Sequence, residues 1–121
     1  MLPFINDTKE NIEKIVELCA KAKVHAIICF GIGLTLREGN REYFYAALDR
    51  KFSTGSSTAS LKELYQKTFG YSYMCSSPHE AELMKYLAQV CRQNHIQLGT
   101  DSVFKWIEEF PDTDPLQPEL F

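Results

Sequence analysis

The sequence predicts a helix-rich α/β fold with one or two parallel strands and about five helices, and three observations carry that reading. Residues 24–30, Val-His-Ala-Ile-Ile-Cys-Phe, form a continuous apolar run rather than an alternating one, as in a strand covered on both faces of a parallel sheet. A helical pattern stands immediately before that run, as in the second half of a βαβ unit. Several further segments carry apolar residues at helical spacing, most behind a recognisable start signal.

Taken in order, Leu2 to Ile5 reads as the end of a preceding strand. Asp7 is placed to accept from the free amides of a helix start, with Glu10 three residues on and Ile12, Ile15, Val16 and Cys19 at helical spacing up to about Lys23. The apolar strand follows and is broken by Gly31 and Gly33. A second helix is expected over 40–52, capped by Asn40, with Phe44, Ala47, Leu48 and Phe52 facing inward. Residues 53–60 are rich in serine and read as a flexible loop. Ser60 and Glu63 then open a short third helix carrying Leu61, Leu64, Tyr65 and Thr68, which Gly70 stops.

The clearest start signal is Ser77-Pro78-His79-Glu80, with a capping hydroxyl, a proline at the first helical position and a reciprocal glutamate. The fourth helix uses Leu83, Met84, Leu87, Val90 and Cys91 and ends near Asn94. Ile96 to Leu98 is a brief extended passage. Thr100 or Asp101 caps a last helix with Val103, Phe104, Ile107 and Phe110, which Pro111 terminates. Residues 1–110 therefore read as one unit, and residues 111–121 as a disordered acidic, proline-bearing tail. One buried-type strand with no encoded neighbours leaves its amides and carbonyls unpaired, so the strand edges are expected to be completed by something else.

Composition narrows the function classes. The chain has 121 residues, with 13 Lys+Arg against 16 Asp+Glu, a net charge of −3. It shows no basic footprint for nucleic acid or for an anionic membrane. No targeting or membrane-spanning segment is evident, so the expected location is cytoplasmic. Cys19, Cys29, Cys75 and Cys91 have no CxxC or comparable ligand spacing and read as buried, reduced thiols. His25 on the strand reads as a hydrogen-bonded interior histidine, and His79 as solvated in a first helical turn. Gly31-Ile32-Gly33 lacks the third glycine of a dinucleotide loop and reads as a strand-end turn. The polar stretch from Arg37 to Arg41 follows the strand, where ligands bind in α/β sheets, although the residues alone favour a solvated, salt-bridged connection. Residue types alone identify no catalytic residue.

Two segments carry a resemblance. LPFINDT at residues 2–8 and IICFGIGLTLREGNREYF at residues 27–44, joined by a helix, resemble the C-terminal part of radical S-adenosylmethionine proteins of the spore photoproduct lyase-like group. TFGYSY at 68–73, SSP at 76–78 and the closing 104–110 helix are similar too, so the resemblance covers roughly residues 2–110, with 53–60 departing from it. It implies a partial (β/α)6 barrel, of which this chain carries the end of the fifth strand, the fifth helix, the sixth strand and the closing helices. The N-terminal half would be missing. Complete members hold a [4Fe–4S] cluster on a CxxxCxxC loop and cleave S-adenosylmethionine to a radical; that motif does not occur here.

Asn6 and Asp7 match the loop after the fifth strand. Ile32, Gly33, Leu34 and Thr35 match the end of the sixth, which lies against the adenine of the cofactor, and Arg37 is placed to reach a carboxylate or phosphate. The resemblance thus implies a fragment that contributes part of an adenosyl or substrate pocket, binds no metal and no cofactor by itself, and is inactive alone. The other expectation is a non-catalytic interaction module that forms a homo-oligomer through exposed strand edges.

Overall fold

A computed structural model describes residues 1–52 and 60–110. The expected loop at 53–59 and the tail at 111–121 lie outside the described residues. The fold is α/β and helix-rich: α1 (Lys9–Lys21), β1 (Ala26–Ile27), β2 (Gly33–Thr35), α2 (Asn40–Phe52), α3 (Leu61–Phe69), β3 (Met74–Ser76), α4 (Glu80–Gln93), β4 (Gln97–Leu98) and α5 (Thr100–Glu108). β1 pairs in parallel with β4, Ala26 opposite Gln97 and Ile27 opposite Leu98. β2 pairs antiparallel with β3, Gly33 opposite Ser76 and Thr35 opposite Met74.

These pairings divide the core. Ile12 and Val16 of α1 pack with Leu83, Leu87, Val90 and Cys91 of α4, and with Ile32 and Ile96. This is the amphipathic spacing read from the sequence, realised as two helices over the parallel pair. Leu36, Tyr45, Leu48, Tyr65 and Cys75 form a second cluster between α2, α3 and the antiparallel pair. The β2 segment joins the two, with Ile32 entering one cluster and Leu36 the other.

Several expectations are corrected. Leu2 to Ile5 is a turn, not a strand end: the Ile5 and Asn6 amides both donate to the Leu2 carbonyl. Phe4 sits at φ 63° and packs edge-on against Tyr65, ring centroids 5.6 Å apart, while the Tyr65 hydroxyl donates to the Pro3 carbonyl. Aromatic packing and a buried hydrogen bond hold a backbone conformation that phenylalanine rarely adopts.

The apolar run at 24–30 makes only a two-residue strand and is not covered on both faces, because Ile28 and Phe30 are exposed. Its neighbour is encoded after all. Strand β4 lies seventy residues downstream, too short and polar a segment to announce itself as a partner. His25 is exposed and stacked on Trp106 at 4.2 Å, not interior. Cys75 and Cys91 are buried, whereas Cys19 and Cys29 are half-buried; all four are free thiols. Burial pushes the Cys75 and Cys91 thiols up.

Capping follows the sequence in one helix and departs from it in others. Ser60 and Glu63 form the expected reciprocal box on α3, and Gly70 closes it at φ 54°. On α1 the cap is Thr8, whose hydroxyl accepts from the Asn11 amide, and not Asp7. Asn40 is the first residue of α2 rather than its cap; of the expected inward face Leu48 is buried, Phe44 and Ala47 are half-buried and Phe52 is exposed, while Arg41 and Tyr45, which were not expected there, are buried. α5 starts behind Gly99 with no side-chain cap and buries none of its residues; Phe104, Ile107 and Phe110 are all exposed.

Candidate functional site

The seam between the two clusters brings together three of the sequence-derived site residues, Asp7, Ile32 and Gly33. Asp7, freed from capping, is buried and accepts from the Ser77 hydroxyl at 2.5 Å. Ser77 in turn donates its amide to the Ile32 carbonyl at 2.7 Å, and its hydroxyl oxygen accepts from the His79 amide at 3.1 Å. Glu80 reaches back to β2 and accepts from the Ile32 amide at 2.9 Å. The serine and glutamate side chains expected to cap α4 reciprocally are instead committed to Asp7 and the Ile32 amide, Ser77 keeping only a local bond from the His79 amide, and α4 starts behind His79 with no side-chain cap. A cap pattern and a cross-link use the same acceptor and donor atoms, so sequence spacing alone does not separate them.

The glycines of the turn serve this approach. A Cβ on Gly33 would stand 2.8 Å from the Ser76 Cα, and one on Gly31 would collide with the Glu80 carboxylate, so both positions are small because strand β3 and helix α4 press against them.

Main-chain direction follows from the antiparallel register. The Ile32 carbonyl and the Leu36 amide bond across to Ser77 and Tyr73, so the even-numbered residues of β2 face β3. Gly33 and Thr35 direct their N–H and C=O groups to the opposite edge, which no strand covers among the described residues. Beside them Arg37 is exposed, and its guanidinium, with the Thr35 hydroxyl, holds the Tyr73 phenol below the usual tyrosine range.

The seven sequence-derived residues thus fall in four places. Asp7, Ile32 and Gly33 are brought together at the seam. Thr35 and Arg37 form a solvent-facing fringe with Tyr73, and Leu34 is half-buried against the second cluster. Asn6 is exposed and committed locally: its Oδ1 accepts from the Leu2 amide and its carbonyl accepts from the Asn11 side chain. Ser77, Glu80 and Tyr73 belong to the site and were not singled out for it; the first two were legible only as a helix start. The accessible groups are main-chain N–H and C=O groups, the Thr35 hydroxyl, the Arg37 guanidinium and the Tyr73 phenol, a set suited to binding.

The residues present do not fit an iron–sulfur cluster. Cys19 and Cys29 pack against the cluster that holds Cys91 while Cys75 lies in the other, and among the described residues no three His, Cys, Asp or Glu side chains stand together as a metal-holding group. No helix among the described residues is long and apolar enough to cross a membrane. Comparison with protein-family profiles, curated protein sequences and solved structures gives no match.

Proposed function

We propose that this chain is the closing part of a partial (β/α)6 barrel of the radical S-adenosylmethionine kind, contributing one wall of the adenosyl or substrate pocket. The observation that carries the reading is the free edge of β2 at Gly33 and Thr35, flanked by Arg37: a purine pairs its ring nitrogens and exocyclic amine with such main-chain groups, and the guanidinium suits a carboxylate or phosphate. The residues that carry the resemblance are the same ones. Radical generation would belong to a cluster-bearing half, and this chain would be inactive alone.

The test is a titration of the 15N-labelled chain with adenosine and with S-adenosylmethionine. Saturable shifts of the Gly33 and Thr35 amides are expected, and no shift at those amides would overturn the reading. Anaerobic treatment with iron and sulfide should leave the chain without a stoichiometric cluster; a full cluster would overturn the division of labour.

A second reading is favoured by one observation. Phe30 is 90% exposed and Ile28 48% beside an edge of β1 that no strand covers among the described residues, so a non-catalytic module that pairs this edge with a second copy is the rival. Light scattering at several concentrations distinguishes them, because a strict monomer is incompatible with self-pairing.

A further inference from the structure

We propose that the cleft between the first turns of α2 and the chain at Gly70 and Tyr71 is a second binding site, distinct from the β2 edge, for a small carboxylate that also carries an amino group. Its floor is Arg41, a side chain only 7% exposed. Nη2 of Arg41 donates to the carbonyls of Leu36 and Tyr71, both at 2.8 Å, and to that of Ser72 at 3.4 Å. The rest of the fork is unused: Nε is buried without any acceptor, and among the described residues no carboxylate pairs with Arg41. Carbonyl dipoles offset part of the cost of burying a guanidinium but leave it without a directly paired carboxylate.

The cleft has a volume of about 340 Å³ and is lined by Arg41, Glu42, Tyr45, Gln66, Gly70 and Tyr71. That is room for a molecule of several heavy atoms. Tyr45 donates its hydroxyl to the Gly70 carbonyl at 3.1 Å, and burial pushes its phenol up, so it remains a fixed, neutral wall. The Tyr71 ring lies 5.4 Å from the Arg41 guanidinium and is otherwise exposed, placed to cover whatever enters. Glu42, whose carboxylate accepts from the Gly39 amide at 2.7 Å, adds a negative charge to the lining. A planar carboxylate supplies the acceptor and the countercharge that Arg41 lacks. Glu42 disfavours a dianion such as phosphate and favours a ligand with a cationic end, which together describe a small amino acid.

The experiment uses the intact chain and four probes: L-alanine, acetate, methylammonium and inorganic phosphate. L-Alanine should shift the Tyr45, Gly70 and Tyr71 amides saturably, acetate more weakly, and methylammonium and phosphate not at all. Glu42→Gln should bring L-alanine about fivefold closer to acetate without abolishing either. Arg41→Lys, with its fold checked by amide dispersion, keeps the charge but loses the fork and should lose the L-alanine response. Tyr71→Ala, at an exposed position, should weaken it severalfold in a chain that folds normally. Absence of any saturable shift with L-alanine would overturn the proposal and leave Arg41 as a clamp on the 71–72 backbone. A response equal for L-alanine and phosphate, or unchanged in folded Arg41→Lys, would overturn it as well. None of these outcomes depends on whether adenosine binds at Gly33 and Thr35.

Discussion

Ser77 and Asp7, 70 positions apart, meet through a 2.5 Å hydrogen bond between side chains that are both buried. The contact ties the turn before α1 to the turn before α4, and through the Ser77 amide it fixes the Ile32 carbonyl as well. Three segments remote in sequence therefore share one polar centre.

Ser77→Ala should destabilise the fold by about 1–3 kcal/mol, because it leaves the Asp7 carboxylate buried without its donor. Asp7→Leu alone removes the charge along with the bond, and adding it to Ser77→Ala should cost less than the sum of the two single changes. Urea denaturation of the four species checks this, and strict additivity would show that the two side chains are not energetically coupled.

The Tyr73 phenol is held below the usual tyrosine range, first by its hydrogen bond to Arg37, then by the one to Thr35. Arg37→Ala should therefore move its titration upward, toward the ordinary value near ~10. Ring-carbon NMR of Tyr73 across alkaline pH reads the shift directly. If the titration is unchanged, Arg37 does not share a site with Tyr73, and the fringe beside Thr35 is not a preformed donor set.

The sequence shows its helices well and its pairings poorly. The α4 stripe, most of the α1 stripe, the Ser60 box and the Gly70 stop are local patterns, set by spacing within one or two turns, and the structure places them as read, except that Ile15 of the α1 stripe is exposed. Asp7 and Ser77 mislead because an oxygen that can cap a neighbouring amide can equally bond a group far along the chain, and the buried tertiary partner wins here. The partner of β1 was missed because Gln97–Leu98 is a two-residue strand, below the length at which alternation carries information. Arg41 is the plainest miss. Its charge reads as a solvated position or a ligand contact, while its carbonyl partners at Leu36 and Tyr71 hold it on the buried face of α2. Of the site, Ile32, Gly33 and Asp7 were legible as a group, whereas Glu80 and Ser77 were legible only as a helix start.

Burial pushes the Tyr65 phenol well above its ordinary range, with Asp7 adding to the effect. The neutral form is thus favoured by folding, so the associated stability is complete below the unfolded phenol value near ~10 and is lost as pH rises beyond it. Tyr65→Phe should flatten that alkaline loss. It should also cost about 1–3 kcal/mol near neutrality, because the Pro3 carbonyl loses its donor. Denaturant midpoints measured between neutral and strongly alkaline pH test both effects, and an unchanged alkaline slope would remove Tyr65 as its source.

Phe30 offers the most direct test of what covers the free edge of β1. Its side chain is almost fully exposed and contributes to neither core cluster, so Phe30→Asp should leave the stability of the monomer within about 0.5 kcal/mol. The same substitution sets a charge at the end of an apolar run beside the uncovered edge, where natural sheets place charges to prevent pairing. Any association through this edge should therefore fall with Phe30→Asp, while the adenosine response at Gly33 and Thr35 should persist. Sedimentation velocity over a wide concentration range, paired with urea denaturation at the lowest concentration, measures the two quantities separately. A large loss of stability in the dilute monomer would mean that Phe30 packs within the chain, and the apolar run would then need no partner at all.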